Sequence, residues 1–433
     1  MTIYALSSGP GLSGVAVIRI SGKETPSILK LLTKKELPSP RVATLSKIIN
    51  LNNSELIDEA LVLWFPGPNS YTGEDMAEFH VHGSMAVIKA IHKALEDTKK
   101  CRIAEPGEFT KKAFQNGKIN LLKAESIADL ISSETEIQRK QAIATMSGKT
   151  SRIFNEMRDL LLKSLSNIEA KIDFPEEELS EEVLSNTKEN IDRVIQKIQK
   201  ILNDQKVGER IREGFKIAIV GPTNAGKSSL LNHLSNRDVA IVSEIAGTTR
   251  DVLETHLNID GYPVIISDTA GIREAKSEIE QKGIKLALKK AEEADLNLIV
   301  IEPKSLDFTG FLKDLINPNS ILVINKCDIE KVCLTEQMKK IDHVIISVKN
   351  NTNIDKLIST IKLKLKGKFI RAEEILITRE RHRVNLEQCL ENLINFQNKK
   401  NDFDKAAEDL RLATRHLGII VGKVEVEEIL GSI

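Results

Sequence analysis

The sequence predicts a fold of class α/β plus α. It has an N-terminal α/β domain, a helical domain, and a second α/β domain with a mostly parallel sheet inserted into the helical one. A chain of 433 residues is too long for one hydrophobic core. Short apolar runs punctuated by Gly and Pro alternate with long stretches of helical spacing. These changes place the domains at 1–118, 119–213, 214–367 and 368–433, the second and fourth segments forming the helical domain.

The N-terminal segment has the pattern of a small α/β domain. The runs VAVIRI (15–20) and ALVLWF (60–65) are short and apolar, as strands are. Gly and Pro separate them from their neighbours, which predicts turns. We therefore expect a compact sheet with helices in the first 118 residues.

The helical domain is predicted from apolar residues three or four positions apart. Ile153, Met157 and Leu161 follow this spacing in its first part. Asn186 and Glu189 resemble a helix start after the break at DFPEEE. Apolar helix faces return after residue 368, which predicts the second part of the same domain.

The segment between these helices predicts a parallel sheet. Its strands, FKIAIV, PVIIS, LNLIVI and ILVIN, are nearly continuous apolar runs separated by helical stretches. Such runs are typical of strands covered on both faces. Because helical segments flank this unit on both sides, we expect it to be an insertion, which domains tolerate when their ends lie close together.

Composition narrows the class of protein. Lys plus Arg and Asp plus Glu both total 62, so any contact with nucleic acid requires a local basic patch. The four cysteines show no metal-ligand spacing, which favours reduced thiols in the cytoplasm. The start MTIYALSSGPG lacks the features of a secretory signal, and no run of 18 apolar residues predicts a membrane span. We expect a cytoplasmic, multidomain protein without a membrane partner.

A phosphate-binding motif follows the first strand of the inserted domain. GPTNAGKSS (221–229) fits GxxxxGK[ST], with a strand before it and a helix-forming segment after it. Gly221 and Gly226 allow the backbone N–H groups to face phosphate oxygens. Lys227 is predicted to reach the β- and γ-phosphates, and the Ser228 hydroxyl to bind Mg²⁺.

Three further residues occur in the order that a GTPase requires. Thr249, in GTTRD, is a second candidate Mg²⁺ ligand. Asp268 ends the strand PVIIS and can hold the metal through water, and the Gly271 N–H can contact the γ-phosphate. These positions strengthen the prediction of a nucleoside triphosphate site.

The base is predicted to be guanine. NKCD (325–328) follows the strand ILVI, and the Asp328 carboxylate can accept hydrogen bonds from guanine N1–H and the exocyclic amine. Asn325 would support the base and its loop, and the Lys326 stem can lie along the ring. Ser347, in SVK, stands where a further base-contacting loop is expected.

The residue after the DTAG motif raises a question about hydrolysis. GTPases of the Ras kind carry a Gln there to orient the attacking water, whereas this chain has Ile272. An Ile side chain cannot hydrogen-bond a water. Either the chain is a nucleotide switch without productive chemistry, or other groups orient the water and stabilise the transition-state charge.

The whole chain resembles the MnmE/TrmE family of tRNA-modifying GTPases, within the TrmE-Era-EngA-like group. The resemblance is carried by GLSGVAVIRISG (11–22), FPGPNSYTGEDMAEFHVHG (65–83) and RIAEPGEFTKKAFQNGKINLLKAES (102–126), together with NAGKSS and AIVSEIAGTTRD (240–251). These motifs span nearly all of the chain. The resemblance implies that the chain consists of a folate-binding and dimerisation domain, a helical domain and a GTPase domain.

The resemblance implies an answer to the hydrolysis question. A K⁺ ion would stabilise the transition state, held by Asn224, Ser243, Ile245 and Thr248, and Glu280 would orient the water. The implied catalytic residues are Glu280, Lys227, Asn224 and Thr248, acting when two GTPase domains meet face to face. The full predicted GTP site is Asn224, Ala225, Gly226, Lys227, Ser228, Ser229, Ser243, Glu244, Ile245, Ala246, Gly247, Thr248, Thr249, Asp268, Thr269, Ala270, Gly271, Asn325, Lys326, Cys327, Asp328 and Ser347.

The resemblance also implies a second cofactor site and several partners. Arg19, Glu78 and Lys118 match the family's folate-binding positions, so a reduced folate such as 5-formyl- or methylene-tetrahydrofolate is expected at the interface of a homodimer. With an FAD-dependent partner protein, in an expected heterotetramer, the family modifies carbon 5 of the wobble uridine of certain tRNAs. The segments RERHR (379–383) and RLATRH (411–416) would offer tRNA positive faces, or else be solvated helix faces.

Two alternatives and one departure from the family stay open at this stage. A ribosome-assembly GTPase shares the NAGKSS loop, but would carry a KH module or a second GTPase domain. His80 and His82 could hold a metal, although no third ligand is evident. The family's tail, close to F-C-I-G-K, has no counterpart after EEILGSI (427–433). We therefore expect this chain to hydrolyse GTP but to modify tRNA poorly.

Overall fold

The computed structural model shows two compact units, Met1–Ala124 and Glu125–Val424. It describes residues 1–173, 181–222, 224–236, 254–268, 289–304, 316–330, 332, 334–366, 375–398 and 403–423. Within these ranges, no helix combines the length and the apolarity needed to cross a membrane.

The first unit is built on a six-stranded sheet with strand order β3-β4-β5-β2-β1-β6. Neighbouring strands are antiparallel except β1 and β6, which are parallel. The strands are β1 (Thr2–Leu6), β2 (Ser13–Ser21), β3 (Thr44–Ile49), β4 (Leu56–Phe65), β5 (Met76–Gly83) and β6 (Cys101–Ile103), and the helices are α1 (Thr25–Thr33), α2 (Met85–Asp97) and α3 (Glu108–Gln115).

Alternation along the strands separates an apolar face from a polar face. Ile18 and Ile20 of β2 and Phe79 of β5 are fully buried in the core with α1 and α2. Successive side chains of a strand point to opposite faces. Arg19 and Glu78 therefore share the other face, where the antiparallel register places them directly opposite each other.

The second unit contains a helical bundle formed by two distant parts of the chain. In α6, Phe154, Met157 and Leu161 are fully buried at helical spacing, and this helix packs against α7 and α13, while α12 packs against α13. The helices of the bundle and its connections are α4 (Leu121–Ile131), α5 (Glu136–Met146), α6 (Lys149–Asp173), α7 (Glu181–Leu202), α8 (Val207–Glu213), α12 (Glu380–Asn398) and α13 (Phe403–Val421).

The start predicted for α7 at Asn186 was wrong, because the helix begins at Glu181. Asn186 and Glu189 are both exposed, and the exposed face of an amphipathic helix accepts polar residues well inside the helix. The Asn186–Glu189 pattern therefore lies inside the helix.

A second six-stranded sheet is formed by the chain segment that separates the two parts of the bundle in sequence. Its strand order is β12-β11-β10-β7-β9-β8. All neighbours are parallel except β8 and β9. The elements are β7 (Phe215–Val220), β8 (Glu254–Ile259), β9 (Tyr262–Asp268), β10 (Leu296–Ile301), β11 (Ser320–Ile324), β12 (His343–Ile345), α9 (Lys227–Ser235), α10 (Glu336–Lys339) and α11 (Ile354–Lys366).

The central strands of this sheet are covered on both faces, as the continuous apolar runs predicted. Every residue of β10 and β11 is buried. Ile217 and Ile219 of β7 belong to one core cluster, and Ala218 and Val220 to a second. The predicted fold class is confirmed, with an α/β unit, a helical bundle and a mostly parallel sheet between its two parts.

The segments that join this sheet to the bundle lie together. Val207 and Ile211 of α8, which precede the sheet, share an apolar core with Ile375, which follows it. Gln141 Nε2 of α5 donates a hydrogen bond to Gly208 O at 3.1 Å, and Gln138 Nε2 donates to Arg212 O at 3.2 Å. The bundle therefore holds the entry to the sheet by side-chain contacts.

Candidate functional site

The phosphate loop (221–227) connects β7 to α9. Close packing requires glycine at its first position, Gly221, and near its end, at Gly226. Gly221 has φ +151°, and a Cβ there would lie 2.0 Å from Val300 O. Gly226 has φ +92°, and a Cβ there would lie 2.2 Å from Asn325 Nδ2. Only glycine is compatible with such positions. The strand, the glycine loop and the helix follow one another as the motif predicts.

Lys227 lies at the first turn of α9, and its side chain is largely buried. The Nζ atom donates hydrogen bonds to Gly221 O at 2.9 Å and to Pro222 O at 2.8 Å. The ammonium thus lies over the loop, beside the N-terminal end of a helix, where backbone N–H groups and the helix dipole favour anions. Ser228 and Ser229, the next two residues, are exposed.

The base loop (325–328) follows β11 and is bonded to the phosphate loop. Asn325 is buried, and its Nδ2 donates to Ala225 O at 3.0 Å while its Oδ1 accepts from Val348 N at 3.2 Å. Lys326 Nζ donates to Asn224 O at 2.7 Å. Two consecutive residues of the base loop therefore hold two consecutive carbonyls of the phosphate loop.

The Lys326 ammonium has a second partner that no motif indicates. It contacts the carboxylate of Glu302, the residue immediately after β10. Glu302 is not among the residues predicted from the sequence. Its only signal is its place after a buried strand that neighbours both β7 and β11.

Asp328 carries an exposed carboxylate whose orientation is set by Ser347. Ser347 Oγ donates to Asp328 Oδ1 at 2.6 Å, and Asn350 N donates to Ser347 Oγ at 3.1 Å. The hydrogen bond from Ser347 lowers the pKa of Asp328 below its usual value, with Lys349 and Lys326 lowering it further. The carboxylate is therefore ionised at neutral pH and remains able to accept further hydrogen bonds.

The structure brings together the predicted residues of the phosphate loop, the base loop and Ser347. It places Asn224 on the exposed surface of the phosphate loop with φ +64°. Asp268 is the last residue of β9, but the structure does not describe its side chain. The other predicted site residues lie outside the described residues, namely Ser243, Glu244, Ile245, Ala246, Gly247, Thr248, Thr249, Thr269, Ala270, Gly271 and Glu280.

A second polar site lies on the polar face of the first sheet. Arg19 Nη2 lies 2.8 Å from Glu78 Oε1, and Arg19 Nε donates to the same oxygen at 2.9 Å. The guanidinium also lies 5.6 Å from the centre of the Tyr71 ring and 5.8 Å from that of Phe109. This arrangement combines an ion pair with two aromatic rings.

Lys118 lies in the loop that follows α3, next to Gly73 in the connection between β4 and β5. A Cβ on Gly73 would lie 3.0 Å from Lys118 Cε, and Asn116 Nδ2 donates to Thr72 O at 2.7 Å. These contacts hold the two loops together. The structure shows Arg19 paired with Glu78, and gives no contact between Lys118 and that pair.

The two histidines of β5 have carboxylate partners of their own. His80 Nε2 lies 3.3 Å from Glu78 Oε2, and His82 Nδ1 lies 2.8 Å from Asp58 Oδ1. Within the part of the chain that the structure describes, no group of three or more His, Cys, Asp and Glu is arranged to hold a metal. The geometry therefore gives no support to a metal site at these histidines.

The RERHR segment (379–383) does not form a free positive face, so both interpretations made from the sequence were wrong. Arg381 Nε donates to Glu125 Oε1 at 2.6 Å, and Arg379 Nη2 donates to Asp129 Oδ1 at 2.7 Å. Arg383 has a side chain that is 5% exposed. Its guanidinium donates to both carboxylate oxygens of Glu209, from Nε to Oε1 at 2.7 Å and from Nη2 to Oε2 at 3.1 Å. Its Nη2 also donates to Asp204 Oδ1 at 2.7 Å.

Burial and pairing strongly shift the pKa of Glu125 in this segment. Burial opposes ionisation, but hydrogen bonds from Arg381 and His382 outweigh it and lower the pKa of Glu125 to about 2. Burial lowers the pKa of His382, which Glu125 partly offsets. The segment is therefore an internal ion-pair network at the start of α12.

The chain matches two family models and is similar to named relatives over its full length. Residues 121–433 match the MnmE helical domain, and residues 2–118 match the GTP-binding protein TrmE N-terminus. A tRNA modification GTPase MnmE of Pelagibacter ubique is 70% identical over 435 aligned residues, covering 100% of this chain and 98% of that protein. Proteins of the same name from Rickettsia akari and Rickettsia prowazekii are 45% and 44% identical, with the same coverage.

Proposed function

Because the chain belongs to the MnmE family, whose named members are tRNA modification GTPases, we propose that it hydrolyses GTP as part of tRNA modification. The observation that carries this proposal is the direct bonding between the base loop and the phosphate loop. Asn325 and Lys326 hold the carbonyls of Ala225 and Asn224. Recognition of a base at one loop is thereby joined to binding of phosphates at the other.

The geometry supports guanine as the base. The Asp328 carboxylate, oriented by Ser347, can accept from N1–H and the exocyclic amine of guanine. Adenine offers no such pair of donors, and polar groups left unpaired are costly. The phosphates would lie at the start of α9, where Lys227 would exchange its loop carbonyls for phosphate oxygens.

Two metal ions belong to the proposal. Ser228 is an exposed residue at the first turn of α9, and its hydroxyl is a suitable oxygen ligand for Mg²⁺, with Thr249 as the second protein ligand. The exposed amide of Asn224 offers an oxygen for K⁺, with Ser243, Ile245 and Thr248 completing the set. Mg²⁺ would neutralise charge on the phosphates, and K⁺ would stabilise charge that develops in the transition state.

We further propose that this chain's own residues divide the work of hydrolysis. Lys227 binds the β- and γ-phosphates, and Asn224 and Thr248 hold the cation. Glu280 orients the attacking water, since Ile272 cannot. Two copies of the GTPase domain meet face to face and close the site.

The tRNA chemistry is proposed from family membership and from the polar site of the first unit. Arg19, Glu78 and Lys118 would bind a reduced folate, 5-formyl- or methylene-tetrahydrofolate, in a homodimer in the cytoplasm. A pterin ring could stack beside Tyr71 and Phe109. With an FAD-dependent partner, the chain would modify carbon 5 of the wobble uridine of tRNA, using the folate carbon. No observation favours the ribosome-assembly alternative.

Multiple-turnover hydrolysis tests the proposal. The purified chain is incubated with GTP or ATP and Mg²⁺, in KCl or in NaCl at equal ionic strength. We expect turnover of GTP only, faster in K⁺ than in Na⁺. Nucleotide binding without turnover in either salt would instead support a switch, and equal rates in the two salts would remove K⁺ from the mechanism.

A further inference from the structure

We propose that Glu302 is a positioning residue of the nucleotide site, which holds Lys326 so that this lysine joins the base loop to the phosphate loop. The inference rests on the proposed function, since it concerns the same guanine-nucleotide site. Glu302 belongs to neither loop and to no nucleotide-binding motif.

The topology puts Glu302 between the two loops. Strand β10 lies between β11, which leads into the base loop, and β7, which leads into the phosphate loop. In the parallel register Ile301 is opposite Ile324, and Asn325 N donates to Ile301 O at 2.9 Å. Glu302, the residue that directly follows β10, is thus beside the base loop at the carboxyl edge of the sheet, where ligands of such sheets bind.

The contacts of the Lys326 ammonium make it the link between the loops. Its two hydrogen-bond acceptors are the Asn224 carbonyl and the Glu302 carboxylate. The Lys326 and Glu302 side chains are 34% and 24% exposed, so the pair is partly shielded from water. Charge-assisted hydrogen bonds are about twice as strong as neutral ones. Glu302 therefore restricts a long, flexible side chain to the position from which it reaches Asn224.

The backbone of both linked residues indicates what this restriction achieves. Asn224 has φ +64°, and so does Lys326. A left-handed conformation is unfavourable for lysine and persists only where the surroundings hold it. The Lys326–Asn224 bond holds both, and Asn224 is the residue whose side chain we propose as a K⁺ ligand. Glu302 would thereby preorganise the phosphate loop before nucleotide binds.

Charge repulsion between Glu302 and the nucleotide would act in the opposite direction. A carboxylate near a polyphosphate repels it, and removing Glu302 would free the Lys326 ammonium to move toward the phosphates. If repulsion dominates, Glu302→Gln binds nucleotide more tightly. If positioning dominates, the same variant binds more weakly, because the link to Asn224 loosens.

The experiment measures binding of a fluorescent GDP analogue to the full chain. We expect Glu302→Gln to raise the Kd about tenfold, with the melting temperature of the nucleotide-free protein within about 2 °C of the original. The matched control is Glu330→Gln, which removes a nearby carboxylate that pairs with Lys304 at 3.2 Å and should leave the Kd unchanged. An unchanged or lower Kd for Glu302→Gln overturns the inference.

A double-mutant cycle separates positioning from general damage. In a Lys326→Gln background, Glu302→Gln should change the Kd by less than about twofold, because its partner is already gone. An equal loss in both backgrounds would overturn the inference. If the unmutated chain binds no guanine nucleotide, the proposed function fails as well, whereas normal binding with an unchanged Kd in Glu302→Gln refutes only the role of Glu302.

Discussion

At the scale of single residues, the proposed choice of base depends on Asp328 and Ser347, which are joined by a hydrogen bond. We predict that Asp328→Asn weakens GTP binding by about 100-fold or more, because the amide replaces an acceptor with a donor opposite the guanine amine. Xanthosine triphosphate, which carries a carbonyl at that position, should bind better than GTP to this variant. Competition binding with both nucleotides checks the prediction.

The control for base choice is Ser347→Ala. This change removes the hydrogen bond that orients Asp328 but keeps the carboxylate. The affinity for GTP should fall modestly, and the preference for GTP over xanthosine triphosphate should persist. A reversed preference in Ser347→Ala would contradict the assignment of base recognition to Asp328.

Asn224 carries the second residue-scale prediction. Because its φ is +64°, alanine would strain the loop, whereas glycine adopts this conformation freely. Asn224→Gly should therefore remove the amide oxygen without distorting the backbone. We expect the rate advantage of K⁺ over Na⁺, about tenfold or more in the original chain, to disappear while GDP affinity is kept. An undiminished K⁺ advantage would exclude Asn224 as a ligand.

Most of the residues that the structure brings together at the proposed nucleotide site were predicted from the sequence, for a physical reason. Phosphate and base recognition need glycine, lysine, asparagine and aspartate at fixed spacing, and such local requirements are visible as motifs. Glu302 was missed because it acts through Lys326 across two strands. A single carboxylate after a strand has no distinguishing spacing, so only the strand order reveals it.

At the scale of elements, the start of α12 is stabilised by buried charges. Arg383→Met should destabilise the chain by about 3–5 kcal/mol, because it leaves Glu209 and Asp204 without their buried partner. Arg411→Met is the control, since Arg411 is 52% exposed, and should change stability by less than about 1 kcal/mol. Urea unfolding of both variants measures the two changes in stability. Equal destabilisation by both substitutions would contradict a stabilising role of the buried ion-pair network.

The same network predicts a dependence of stability on pH. The pKa of Glu125 is lowered from 4.5 to about 2, so its ionised form favours the folded state. This contribution, roughly 3 kcal/mol at full strength, is present above pH 4.5 and is lost as the pH falls toward 2. In urea unfolding, the stability difference between the original chain and Glu125→Gln should therefore shrink between pH 5 and about pH 3. A constant difference would refute the assignment.

Helical spacing predicted the existence of the bundle helices but not the role of their charges. In RERHR, three arginines in five residues suggested an exposed surface. Their partners, Glu125, Asp129 and Glu209, lie in α4 and α8, far away in sequence. Local patterns contain no information on such partners, which is why the segment was misassigned.

At the scale of the whole molecule, the polar site of the first unit and the nucleotide site of the second are formed by separate residues. Arg19→Ala should weaken binding of 5-formyltetrahydrofolate about tenfold or more, since it removes a charge and a stacking partner. GTP turnover should remain close to that of the original chain. Calorimetry and a turnover assay on the same preparation test both statements. Lys111→Ala is the control, because Lys111 is an exposed cation in α3 outside the proposed folate site. Unchanged folate affinity in Arg19→Ala would refute the assignment of Arg19 to folate binding.

The split helical bundle also has a consequence for biosynthesis. The apolar face of α6 packs against α13, yet between the end of α6 and the start of α13 the ribosome must add about 230 residues, at about 5–20 residues per second. For roughly 10–45 seconds, Phe154, Met157 and Leu161 of α6 are translated while the partner helix α13 is still missing. During this interval the intervening sheet can form first, while the unfinished bundle presents the apolar surface that molecular chaperones recognise.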